Sequence, residues 1–267
     1  MPDSEIRCGM NWVRAFWGSQ IGKKAVMAVT GLIGVGFVIG HMLGNLQMFQ
    51  GPEKMNHYAA FLKSLGGLLW LARFILLAAV VLHVIAAVQL SRDRLAARPV
   101  AYRKGAQREV STFASRTIRW GGLLLLVFIV FHILHFTTRV VFPGYSETDV
   151  YGNVVKAFRN PFVSAFYVLS MIVLGLHLYH GAWSSLRSLG ASPPSAHPLR
   201  RYGATAIAVV VWAGFTIIPI AVLAGLIEPT SRRAAAPAAG PTPAAIRRPA
   251  APAAAAVRPA AAAGARK

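Results

Sequence analysis

The chain has 267 residues, 55% hydrophobic and 13% charged, with a formal charge of +20 at pH 7. The apolar content excludes disorder for the bulk of the chain, and a charged fraction about half the roughly 25% usual in soluble domains argues against an ordinary cytosolic enzyme. A lone cysteine, Cys8, excludes an intrachain disulfide and any Cys-based zinc or iron–sulfur site, and the basic residues flank apolar runs rather than forming a face for nucleic acid.

Residues 1–22 form a polar N-terminal segment. Within it 11–17, with Trp12, Val13, Phe16 and Trp17 around Arg14, reads either as a short interfacial helix or as a frayed start with belt tryptophans. Five apolar runs follow, at 25–46, 68–90, 120–142, 162–186 and 202–227. Each reaches the roughly 20 residues that a helix needs to cross a bilayer. A chain in lipid must satisfy its backbone internally, so all five read as helices. The expected fold is an all-α integral membrane bundle of five transmembrane helices, occupying 23–228. A polar stretch precedes the first run and no small-residue cleavage site follows it, which reads as a retained span rather than a signal peptide. The tail, 229–267, is Ala, Pro and Arg with almost no large apolar residue, and is expected to be disordered.

Lys and Arg set the expected direction. Fifteen lie before span one, between spans two and three, and between spans four and five; the opposite loops hold Lys54, Lys63, Arg139, Lys156 and Arg159. The positive-inside rule then puts the N-terminus in the cytoplasm and the C-terminus outside. The seven basic residues of the tail fall on the wrong side, but the rule counts short loops near span ends, so the first four spans decide.

Each of the first four spans carries histidine: His41, His83, His132 with His135, and His177 with His180. Ionisable residues inside a membrane are costly and commonly functional, although any single one can be a neutral hydrogen-bonding group between helices. At 1.5 Å per residue from the cytoplasmic helix ends, His41 and His132 lie about 25 and 20 Å deep, and His83 and His177 about 14 and 15 Å. This gives two layers, joining helix one to three and helix two to four. Depth alone also admits His135, at about 24 Å, as the partner of His41. Two imidazoles per layer suit two bis-histidine haems, with iron ligated on both faces. Small residues near the histidines, Gly31, Gly34, Gly36 and Gly40 on helix one, Ala86 and Ala87 on two, Gly121 and Gly122 on three, and Gly175 and Gly181 on four, leave room for a macrocycle, or simply let helices approach. Zinc fits poorly without acidic or thiolate partners, and a proton relay or ion-coupled transporter lacks intramembrane carboxylates.

The residues resemble a known family. Gly40-His41-Met42-Leu43-Gly44-Asn45, Asn56-His57-Tyr58-Ala59 through Phe61-Leu62-Lys63, Leu82-His83-Val84, Arg119 with Gly122 and His132, and His177 with Gly181-Ala182-Trp183-Ser184 follow in order over about 12–227. Together they resemble the dihaem cytochrome b membrane anchor of succinate dehydrogenase or fumarate reductase, of the single-subunit five-helix type. The resemblance implies axial ligands His41 and His132 for an outer haem b and His83 and His177 for an inner one. It selects His132 over His135 and His177 over His180, leaving the spare histidines to bond helices or propionates.

The same resemblance implies a bacterial cytoplasmic membrane. Flavoprotein and iron–sulfur partner subunits, carrying FAD and the clusters, would dock on the cytoplasmic face, and electrons would pass through both haems to a quinone, menaquinone in dihaem relatives. The chain would then be the non-catalytic anchor subunit of a succinate:quinone oxidoreductase. Quinone-binding candidates are Glu53 and His57, and ordinary solvated loop residues are the alternative. By depth, Arg116 and Arg119 are candidates for the inner haem's propionates, and Arg73 and Arg139 for the outer one's; snorkelling at the interface accounts for them equally. Gly175 stands where some fumarate reductases carry a proton-conducting Glu. Alternatives are the cytochrome b of another quinone-linked dehydrogenase, such as a hydrogenase, and a haem-free transporter or scaffold.

Overall fold

The computed structural model describes residues 11–97, 112–142, 144–191 and 197–230. Cys8, the loop basic residues Arg98, Arg103, Lys104 and Arg108, and the tail expected to be disordered (beyond Thr230) lie outside the described residues. Among the described residues the chain is all-α, and five helices are long and apolar enough to cross a membrane. It is a multi-pass membrane protein.

Residues 11–18 are helical, with the Trp12 and Phe16 rings stacked at 5.8 Å. The numbered helices are α1 (Gln20–Asn45), α2 (Pro52–Ser64), α3 (Gly67–Ala96), α4 (Phe113–His132), α5 (Val150–Phe158), α6 (Pro161–Ser188) and α7 (His197–Leu223). The spans are α1, α3, α4, α6 and α7. A 3₁₀ turn, Leu46–Gln50, prolongs α1, and a π turn, Ile133–Thr137, prolongs α4.

Caps explain why helices begin earlier than the apolar runs. Ser19 accepts from the Gly22 N–H at 2.9 Å, and Thr112 accepts from the Ser115 N–H at 3.2 Å. Hydropathy measures the stretch immersed in hydrocarbon, whereas the cap marks where the backbone starts to wind. Pro161 at the first turn and Asn160 as cap start α6. His197, expected in a polar loop, is instead the first residue of α7, followed by a helix-starting Pro198. The third span ends at Thr137, short of the expected 142. There the Thr138 N–H donates to the Ile133 carbonyl at 2.9 Å, and Arg139 takes a left-handed φ of 59°. The fifth ends at Leu223, with Gly225 at φ 73°.

Helix α6 is the hub of the bundle. It packs along α7 most extensively and along α1 and α4; α1 also packs along α3. No such seam joins α1 to α4, α3 to α4, or α3 to α6. The α1–α3 seam is small-residue packing, as membrane helices favour: only Ala79 and Ala86 are buried on α3, with Ala28 and Thr30 on α1. The opposite side of α3, with Phe74, Leu77 and Val81, is exposed, as a lipid-facing surface is.

The connections 51–66 and 144–160 read as loops from composition, yet each contains a helix, α2 and α5. They pack on one another at one end of the bundle. Asn56 Nδ2 donates to Asp149 Oδ1, and the Tyr151 N–H donates to Asn56 Oδ1, both at 2.9 Å. Tyr151, Val155 and Phe158 sink into the larger buried cluster with Tyr167 and Met171 of α6. At the opposite end Asp93 of α3 accepts from Lys23 and Gln20 of α1, each at 2.7 Å, tying those two helices together.

Candidate functional site

The spacing of α3 decides where His83 faces. It stands four residues after Ala79 and three before Ala86, so all three share the stripe turned to α1. There its Nδ1 meets the Met27 carbonyl at 3.1 Å and Thr30 Oγ1 at 3.2 Å. The Thr30 hydroxyl donates to Val26 O at 2.7 Å, so both groups present acceptor lone pairs to His83. The ring hydrogen therefore belongs on Nδ1, and Nε2 is the atom left to act. A Cβ on Gly31 would lie 3.3 Å from His83 Cε1, so that glycine is what lets the ring sit against α1.

His177 of α6 is the ring opposite. The His83 and His177 centroids are 6.1 Å apart. His177 Nδ1 is buried with no hydrogen-bond partner. His180 Nδ1 is likewise buried with no hydrogen-bond partner, and its ring lies edge-on to Trp183 at 5.8 Å, so what sets His177 apart is its approach to His83.

The second pair stands near the ends of its helices. His41 lies four residues before the last residue of α1, and His132 is the last residue of α4. Their ring centroids are 5.8 Å apart at 81°. Phe37 stacks on His41 at 5.3 Å, and Phe128 on His132 at 5.7 Å. His132 Nδ1 approaches the Tyr167 hydroxyl at 3.3 Å. His135, which depth alone admits as a partner for His41, is fully buried with both ring nitrogens engaged: Nδ1 is 3.0 Å from Tyr167 Oη and Nε2 2.9 Å from Tyr145 Oη.

Thus His41 faces His132 and His83 faces His177, and each pair joins helices that share no packed seam. A metal bound at about 2.0–2.1 Å by one nitrogen from each side puts imidazole ring centres about 6.3 Å apart, close to both separations. Among the described residues no three His, Cys, Asp or Glu side chains converge as a metal site. At each level two imidazoles from different helices come close, a donor set that suits a metal whose remaining positions are filled by a macrocycle. The glycines add to the fit. Gly34, Gly122 and Gly181 are only partly buried, and a Cβ on any of them would meet nothing within 4 Å, whereas Gly121 and Gly175 do serve close packing.

The remaining sequence candidates divide. Arg73 and Arg139 share a cavity of about 360 Å³ with Lys63, Trp70, Thr137 and Glu147. Arg73 lies over the Trp70 ring at 4.9 Å, and Arg139 pairs with Glu147 at 2.6 Å. Lys63 donates to the Glu147 carbonyl. Arg116 and Arg119 are exposed on the first two turns of α4. Glu53 and His57 occupy the exposed face of α2, while Met55 and Asn56 turn inward.

A second cavity of about 360 Å³, lined by Lys24, Trp183, Ser184, Arg187 and Ser188, was not anticipated. Arg201 of α7 stands over the Trp183 ring at 5.7 Å. The signal was present in the basic residues at the ends of three spans, but the positive-inside rule absorbs such residues without asking whether they converge. Outside the spans, burial pushes the Tyr145 phenol up to about 12, and Lys156 Nζ lies 5.6 Å from its ring centre. No family model, curated protein or solved structure matches the chain.

Proposed function

We propose that this chain is a dihaem cytochrome b: the membrane anchor of a succinate dehydrogenase-type complex, passing electrons from an iron–sulfur subunit to quinone. One observation carries the reading. Two pairs of imidazoles from helices that share no packed seam approach at ring-centre separations of 5.8 and 6.1 Å, close to the span of two rings on one iron. His41 and His132 would hold one haem b, and His83 and His177 the other. Bound haem supplies reversible one-electron transfer through iron. The chain's own work is to fix ligand tautomers, exclude water and set the dielectric around each level.

Other features agree. Arg73 lines one cavity with Lys63 and the Glu147-paired Arg139, near the end of the helix that carries His132, and offers a cation to a carboxylate there. Lys24 and Arg187 do the same at the opposite end. The basic flanks favour an N-terminus in the cytoplasm and a C-terminus outside; the family resemblance adds a bacterial cytoplasmic membrane and FAD- and cluster-bearing subunits docked on the cytoplasmic face. Quinone, menaquinone in the dihaem relatives, would approach near Glu53 and His57 on the outer cap.

The test is a pyridine haemochrome count on the full chain purified from its native membrane, with identification of co-purifying subunits. Two haem b per chain and a flavin-bearing partner are expected, with one haem left in His83→Ala or His177→Ala. A chain without b-type absorption, or two haems retained in both variants, would overturn the reading. A nickel-bearing partner would redirect it to a hydrogenase.

A further inference from the structure

Four side chains form a continuous polar chain across otherwise aromatic packing: His132 Nδ1 to Tyr167 Oη at 3.3 Å, Tyr167 Oη to His135 Nδ1 at 3.0 Å, and His135 Nε2 to Tyr145 Oη at 2.9 Å. Phe128 and Phe158 hold the Tyr167 ring edge-on at 5.1 and 5.0 Å. Each neutral imidazole has one ring hydrogen and each phenol one, so the chain can be ordered in two directions. In one, Tyr145 donates to His135, His135 to Tyr167, and Tyr167 to His132 Nδ1; the His132 hydrogen then sits on Nε2. In the other, His132 Nδ1–H donates to Tyr167, Tyr167 donates to His135 Nδ1, and His135 Nε2–H donates to Tyr145. Only the second order leaves His132 Nε2 bare.

We infer that Tyr167 is a positioning residue for His132, held by His135 and Tyr145 so that His132 keeps its hydrogen on Nδ1 and presents Nε2 as a strong donor. The inference rests on the reading of His132 as an axial ligand. A ligating imidazole whose second nitrogen donates to a good acceptor gains basicity and electron-donating power. Here the acceptor is a phenol that must pass its own hydrogen on to His135. Chains of this kind strengthen cooperatively where the dielectric is low. His135 is fully buried with both nitrogens engaged, so its part is to receive from Tyr167 rather than to bind metal.

The experiment compares the purified complex with Tyr167→Phe, Tyr145→Phe and, as a control on the same helix as Tyr167, Tyr179→Phe. The midpoint potential of each haem is read by spectroelectrochemical titration, and the ligand field by electron paramagnetic resonance. Tyr167→Phe should retain both haems and raise the potential of the His41–His132 haem, because His132 loses its acceptor. Tyr145→Phe should raise it by less, and the His83–His177 haem should not move in either. Tyr179→Phe should leave both in place. Should Tyr167→Phe shed a haem, Tyr145→Phe still decides. Two haems at unchanged potentials in Tyr145→Phe would overturn this inference alone, whereas a wild-type complex without haem would overturn the proposed function beneath it.

Discussion

Gly44 gives a prediction independent of any cofactor. It is buried at the end of α1, three residues after His41, and a Cβ there would stand 2.7 Å from Cε1 and Oη of Tyr58 and 2.9 Å from Cζ. Carbon contacts settle near 3.5–4.0 Å, so Gly44→Ala is short of room by about 0.8–1.3 Å. The helix carrying Tyr58 is pinned through Asn56 to Asp149 and Tyr151, so relief has to come from turning the Tyr58 ring out of its place. Overpacking of this kind costs about 1–3 kcal/mol, against a helix-propensity gain of about 0.8–1 kcal/mol for replacing glycine. The cleanest comparison is Gly36→Ala on the same helix, where a Cβ meets nothing within 4 Å and the propensity gain is unopposed. Gly44→Ala should therefore be about 1–3 kcal/mol less stable than Gly36→Ala. Thermal unfolding of the detergent-purified chain measures the gap, and repeating the comparison in a Tyr58→Ala background should close it. If the two alanine variants melt together, or the gap survives without Tyr58, the close approach of α2 to α1 is wrong.

Three further outcomes are expected, the first two on the proposed dihaem reading. Thr30→Val removes one of the two acceptors at His83 Nδ1 while leaving the Met27 carbonyl, so haem retention at the His83–His177 level should weaken about tenfold, at the low end of such outer contacts, in competition with a haem-scavenging apoprotein. Gly122→Leu fills a position where a Cβ meets nothing; the helix should form normally, by circular dichroism, while the haemochrome count falls from two towards one, and an unchanged count would mean that Gly122 faces lipid. Tyr145 is held at about 12, above the usual phenol range near 10, so between about pH 10 and 12 the unfolded chain gives up this proton and the folded one keeps it. Folding stability should fall as pH rises through that window, and a melting series should find a shallower fall in Tyr145→Phe.

The periodic and apolar features of the sequence carried the spans and the common depth of the histidines, because both follow from a fixed rise per residue in a slab of fixed thickness. Rings that the arithmetic puts at one level, His41 with His132 and His83 with His177, are the rings in contact. What it could not reach was decided by contacts between distant segments. Neither α2 nor α5 has a long apolar face, and Asn56 binds α5 from about 95 positions away. Nothing local to Asp93 marks its role, which comes from Lys23 and Gln20 reaching it from α1, 70 and 73 positions away. Depth left His132 and His135 nearly equal. The π turn after His132 and the two tyrosines separate them, and a π turn is invisible to a rule that assumes 3.6 residues per turn.

The packing pattern explains why two levels are built with four helices rather than one level with all of them. Helices α1 and α6 pack along each other as a spine; α3 leans chiefly on α1, and α4 chiefly on α6. Each flanking helix contributes one histidine, and that histidine reaches the spine helix on which its own helix does not lean: His83 of α3 faces α6, and His132 of α4 faces α1. The contacts that orient these two rings come instead from the helix against which each one packs. Main-chain and hydroxyl acceptors on α1 hold His83, and Tyr167 on α6 holds His132. One spine helix thus aims each flanking imidazole while the other supplies its opposite ring. The two levels can then be tuned separately, since the atoms that aim His83 and those that aim His132 lie on different helices.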